Sequence, residues 1–148
     1  MKTRDEDYIL DLCDEVLQEK SARQYRGFAF LTGDTGRRLP VDAYYASRNL
    51  VVECHERQHT EDVTFFDKPS KMTCSGVSRK EQRRIYDDRR RSLLPANQIS
   101  LVILDFSMFE CDAKKRLRRG STDEIVIRKM LLQFLPGNPA DLKERGLS

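Results

Sequence analysis

The sequence predicts an α/β domain built on a mixed sheet with helices packed against it. Three observations carry that expectation. Segments of helical period alternate with short β-type runs in the order helix, three strands, helix, strand, helix. Turn residues separate the three early strands by only a few positions, which makes them an antiparallel meander. The apolar run 99–106 follows a helix, so it returns parallel to an earlier strand by a helical crossover.

At 148 residues, 39% of them hydrophobic and 34% charged, the chain is long enough for one domain with a true core. The domain is expected over 1–135, with 136–148 as a frayed tail. No apolar stretch approaches the roughly 20 residues of a membrane helix, and the N-terminus has no apolar signal core. The four cysteines include no CxxC pair. A reduced, cytoplasmic protein away from membranes is the expectation.

The elements follow in order. Residues 5–19 read as a helix, with Tyr8, Ile9, Leu12 and Val16 at helical spacing and acids in the first turn. Residues 26–32 read as a strand with Phe28 and Phe30 on one face. The turn signal Gly33-Asp-Thr-Gly36 sends the chain back into a strand at 41–45, with Pro40 at its entry. Ala46 to Asn49 turn it again into a third strand at 50–53. The segment 60–77 shows no clean period and reads as a long ordered loop. A helix over 79–94 is stopped by Pro95, and 99–106 is a strand buried on both faces. A basic loop covers 111–120. Ser121, with an acid three residues on, caps a last helix that runs through Leu135.

The chemistry concentrates between positions 39 and 59. Asp42 lies on the second strand and Glu53 ends the third. Both histidines of the chain, His55 and His59, follow at once. Two carboxylates on neighbouring strands can share a hard cation such as Mg²⁺ or Mn²⁺, which takes oxygen ligands. Such an ion polarises a phosphoryl group and acidifies a bound water, and histidine is suited to move a proton near neutral pH. In a strand, Glu53 and His55 point to the same side. The same residues could equally be surface acids and satisfied histidines, because a bare acid, acid, histidine spacing is unspecific. A structural zinc site on Cys54, His55, His59 and Cys74 has the right donors. It is disfavoured because adjacent strand residues point apart.

Charge is uneven, although the net value is only +3. Arg79, Lys80, Arg83, Arg84, Arg89, Arg90 and Arg91 outnumber Glu81, Asp87 and Asp88 on one helix. Pairs such as Glu81 with Arg84 and Asp87 with Arg91 would support it. The surplus suits backbone phosphates, and the alternative is a solvated face. Residues 114–119 form a second basic candidate, and Tyr86 reads as a packing residue.

Taken together, Pro40-Val-Asp42, Leu50-Val-Val-Glu53, Cys54-His-Glu-Arg-Gln-His59, and Arg84-Ile-Tyr-Asp-Asp-Arg-Arg-Arg91 running into the apolar 99–105 resemble a known family. It is the restriction-endonuclease-like PD-(D/E)xK superfamily, in the branch of the very short patch repair endonucleases and their small relatives. The match spans roughly 6–106. The resemblance implies a restriction-endonuclease-like core in which Asp42 and Glu53 ligate Mg²⁺. It makes His59 the general base or phosphate contact, with His55 second. It puts a helix acid, Glu6 or its neighbours Asp7 and Asp11, in touch with the site through water. The lysine of the standard pattern would stand at 55, where this chain has His55, and a neutral imidazole does not reproduce a fixed charge.

The expected function is a metal-dependent DNA endonuclease that hydrolyses phosphodiesters with metal-activated water. Arg79, Lys80, Arg83, Arg84, Arg90 and Arg91 would be its grip on DNA. A homodimer or a protein partner would add specificity. The alternatives are a catalytically inactive nucleic-acid-binding module of the same fold and a structural subunit of a larger complex.

Overall fold

The computed structural model describes residues 4–55, 78–114 and 116–136. The described elements are α1 (Asp5–Leu17), β1 (Ala22–Tyr25), β2 (Val41–Tyr45), β3 (Leu50–His55), α2 (Arg79–Ala96), β4 (Ser100–Asp105) and α3 (Thr122–Met130). The four strands form one mixed sheet in the order β1-β2-β3-β4. β1, β2 and β3 are antiparallel neighbours, and β4 pairs parallel to β3 from Leu50↔Ser100 to His55↔Asp105. The meander and the helical crossover expected from the sequence are both present.

Two apolar layers cover the sheet. On one side Ala43, Tyr45, Val52, Cys54, Val102 and Leu104 pack with Ile9, Leu10, Cys13 and Leu17 of α1 and Ile127 of α3. On the other, Val41 and Val51 pack with Leu31, Leu39, Leu94 and Ile99 beneath α2. β3 therefore carries the doubly covered run: its first five residues are all buried. The sequence assigned that role to 99–106. β4 instead alternates, with Val102 and Leu104 buried in the layer under α1 and α3 and its other residues more open.

The first strand also differs from expectation. It occupies Ala22–Tyr25, and 26–32 is irregular, with the Leu31 amide bonding back to the Phe28 carbonyl at 3.1 Å. The aromatic residues that suggested a strand serve a ring cluster instead. Tyr25 stacks on Tyr44 at 4.8 Å, and Phe28 meets both edge-on. The chain passes under the Tyr25 ring at Gly27, where a Cβ would come within 2.0 Å of the Tyr25 hydroxyl. Beyond it, the turn over Gly33 to Gly36 closes as expected, and Thr32 bridges Arg38.

Three helix ends need correction. α1 stops at Leu17, with Gln18 left-handed at its C-terminus (φ 54°). α2 continues through Pro95 to Ala96: Pro95 offers no N–H to the Arg91 carbonyl, so the helix runs only one residue further, and Ile99 closes the end by donating to the Leu94 carbonyl at 3.0 Å. Its N-cap is Ser78, which accepts the Glu81 N–H at 3.2 Å. α3 ends at Met130 and gives way to a 3₁₀ turn, Leu132–Phe134. Ser121 makes no side-chain cap there. Asp123 is buried instead, accepting from the Tyr8 hydroxyl at 2.6 Å and from the Gly120 N–H at 3.1 Å. Burial and that acid push the Tyr8 phenol up to about 12. Among the described residues, no helix is long and apolar enough to cross a membrane.

Candidate active site: a cross-strand acid pair

The register of β2 on β3, with Ala43 opposite Val52, puts Asp42 opposite Glu53 one step further on. Cross-strand partners on one face have Cβ atoms about 5 Å apart, so the two acids meet without help from any loop. Asp42 donates its backbone N–H to Glu53 Oε2 at 2.6 Å, and its Oδ2 accepts the Cys54 N–H at 2.8 Å. Its Oδ1 accepts from the exposed Gln24 amide at 3.4 Å.

Glu53 is deeply placed, with 6% of its side chain exposed. Its other oxygen, Oε1, faces Arg90 Nε at 3.3 Å. Arg90 is itself braced, donating from Nε to the Pro40 carbonyl at 3.0 Å and from Nη1 to Asp87 at 3.0 Å. Burial pushes the Glu53 carboxyl up to about 8, the Asp42 charge adds to the rise, and the Asp42 N–H and Arg90 oppose it. A buried acid set against another acid is an arrangement a cation would relieve.

The remaining candidates fall into place around this pair or away from it. His55 ends β3 in register with Asp105, on the Glu53 side by strand alternation. His59 lies outside the described residues, as do Cys74 and the 60–77 segment. Glu6, in the first turn of α1, is near Cys54 on the α1 side of the sheet. Its charge is among those that push up the Cys54 thiol, after burial, Asp42 and Cys13. Asp11 points elsewhere, exposed and ion-paired with Arg23 at 3.1 Å, and Asp7 pairs with Arg4 at 3.3 Å. Cys54 belongs to the apolar layer under α1. Among the described residues, no three of His, Cys, Asp and Glu converge as a metal-binding group.

The basic helix is less free than its composition suggests. Arg79, Lys80, Arg83, Arg84 and Arg91 are exposed. Arg84 pairs with Glu81 as expected, but Asp87 takes Arg90 rather than Arg91, which pairs with Asp88 at 3.7 Å. Arg90 is turned inward, with 15% of its side chain exposed. Tyr86 packs against the layer beneath α2, as expected, and its hydroxyl accepts the Asp34 N–H at 3.0 Å. In the second basic segment, Asp5 draws Arg119 in at 3.0 Å and that guanidinium lies over the Tyr8 ring.

Arg90 is the residue that composition hid. Tyr86, Arg90 and Leu94 are spaced i, i+4, i+8, so one buried helix face carries all three. That spacing was the available signal. No family model, curated protein or solved structure matches this chain.

Proposed function

We propose that the chain is a divalent-metal-dependent DNA endonuclease with a restriction-endonuclease-like core. One observation carries this: Glu53, buried, is set directly against Asp42 on the neighbouring strand, so two carboxylates converge where one would be costly enough. The order helix, meander, helix, parallel strand is consistent with the fold that the resemblance implies. The donor set is two hard oxygen ligands, which suits Mg²⁺ or Mn²⁺. Asp42 and Glu53 would hold the ion, which supplies Lewis acidity toward a phosphodiester and its attacking water.

The protein's own groups do the rest. Arg90 balances the Glu53 charge and fixes its rotamer. His55 or His59 takes the proton at near-neutral pH. Exposed cations of α2 contact backbone phosphates. A second function is favoured by one contact: Arg90 already occupies Glu53, which satisfies that acid without a metal. It is a nucleic-acid-binding module without catalysis.

Calorimetric titration of Mg²⁺ and Mn²⁺ into the wild type and Asp42→Ala, followed by nicking of supercoiled plasmid, separates the two. Metal binding and nicking lost together in Asp42→Ala are expected. A folded wild type that binds DNA but neither metal leaves the non-catalytic module.

A further inference from the structure

Three exposed arginines that face no carboxylate among the described residues cluster on the hairpin that leads into β2. Between positions 26 and 41 the chain carries Arg26, Arg37 and Arg38 against a single acid, Asp34. All three arginines are exposed. Asp34 is turned away from them: Arg89 of α2 binds its carboxylate at 3.1 Å and the Tyr86 hydroxyl accepts its N–H. Among the described residues, Arg37 and Arg38 make no ion pair, and Arg26 donates only to the Arg38 carbonyl at 3.1 Å. On α2, by contrast, Arg84, Arg89, Arg90 and Arg91 all face carboxylates.

The hairpin is also a firm platform. Arg89 adds a bond to the Thr32 carbonyl at 3.0 Å. Gly33 lies so close under Tyr86 that a Cβ would meet its hydroxyl at 2.8 Å. Leu31 and Leu39 are buried in the layer beneath α2. The tip can therefore present three guanidinium groups without ordering itself on binding, which limits the entropic cost. Arg38 stands four residues before Asp42, at most roughly 14 Å along the chain. That is about four steps of a duplex rising 3.4 Å each.

We infer that the 26–38 hairpin is a DNA-backbone grip, in which Arg26, Arg37 and Arg38 hold phosphates beside the Asp42–Glu53 pair. This deepens the endonuclease function proposed above and rests on it. Guanidinium groups suit phosphate because they donate two parallel N–H bonds. The contacts would be sequence-independent and would orient the duplex rather than read it.

The test is fluorescence anisotropy of a labelled 30-base-pair duplex in chelator at several salt concentrations. It compares the full-length wild type with the triple variant Arg26→Ala, Arg37→Ala, Arg38→Ala and with the corresponding triple Lys variant. Each phosphate contact contributes about 0.9 to the slope of log affinity against log salt. The Ala variant should lose up to about 2.7 of that slope, and the Lys variant should keep most of it. Arg128→Ala, on α3, should change nothing. Equal slopes for wild type and the Ala variant would overturn the hairpin grip while leaving the DNA-binding function intact. A wild type with no affinity for the duplex at any salt overturns both. Circular dichroism of each variant confirms that the three exposed changes leave the fold in place.

Discussion

Asp14 and Glu53 are both partly or fully removed from water, and both face an arginine, yet their surroundings differ in kind. Asp14 is met by donors alone. The Tyr45 hydroxyl donates to it at 2.5 Å, the Ser21 hydroxyl at 2.8 Å and Arg23 at 2.9 Å. Glu53 has one arginine and one amide, and then a second carboxylate. The first environment ties the end of α1 to the sheet: Tyr45 is buried, and burial followed by Asp14 pushes its phenol far up. The second environment works against its own acid. The contrast is between an acid surrounded by donors and an acid that a neighbouring carboxylate disfavours.

The largest effect should come from removing the guanidinium over Glu53. Arg90→Met leaves a buried carboxylate without its counter-ion wherever Glu53 is ionised, so urea unfolding at pH 9 should report a loss of about 3–5 kcal/mol and a smaller one at pH 6. Adding Glu53→Gln should restore most of it. Arg23→Met should cost only on the order of 1 kcal/mol, because Asp14 keeps its hydroxyl donors and lies nearer to water. Equal losses at the two arginines would erase the contrast. Next in size is Asp14→Ala. It takes the carboxylate from the buried Tyr45 hydroxyl, leaving it Ser21, and should cost about 1–2 kcal/mol in the same assay.

Asp42→Asn should act in the opposite sense. It removes the repulsion while its amide oxygen can still accept the Cys54 N–H, so thermal unfolding should show a gain of about 1 kcal/mol while plasmid nicking disappears. The smallest effect is in the pH profile. The folded state holds the Glu53 proton up to about 8, against an ordinary value of 4.5. The folded state thus binds more protons across that window. The contribution is full below pH 4.5 and is lost as pH rises through 8. Urea midpoints should fall between pH 5 and 8.5 in the wild type and fall less in Glu53→Gln. Cys13, pushed up to about 12 by burial, titrates above this window.

Much of the architecture could be read from the sequence because it depends on local signals. The short turns around Gly33 to Gly36 and Ala46 to Asn49 settle the meander, and the i, i+2 alternation then puts Asp42 and Glu53 within reach. What could not be read was what side chains do at long range. Phe28 and Phe30 have the composition of a strand but are used in a ring cluster with Tyr25 and Tyr44. The 99–106 run is as apolar as a doubly covered strand, yet within β4 only Val102 and Leu104 are buried, on the face that α1 and α3 cover. Arg90 looked like one of seven equivalent cations until its partners, Pro40 and Glu53, were brought to it from the meander. The charge on the 26–38 hairpin was visible as letters, but its lack of balance depended on Asp34 turning toward α2.

The parallel pairing of β4 on β3 has a kinetic consequence. Asp42 and Glu53 are 11 residues apart through a single turn, whereas Arg90 follows Glu53 by 90 − 53 = 37 positions. Closing the short span is entropically easier than docking α2 and β4. On that ground the two acids are expected to come together before the arginine that neutralises one of them arrives, which φ-values at Val52 and Leu94 would check. Refolding should be fastest where Glu53 enters the sheet protonated and should slow as the solution becomes alkaline. Arg90 would then act mainly on the unfolding limb, as a latch set after the meander has formed.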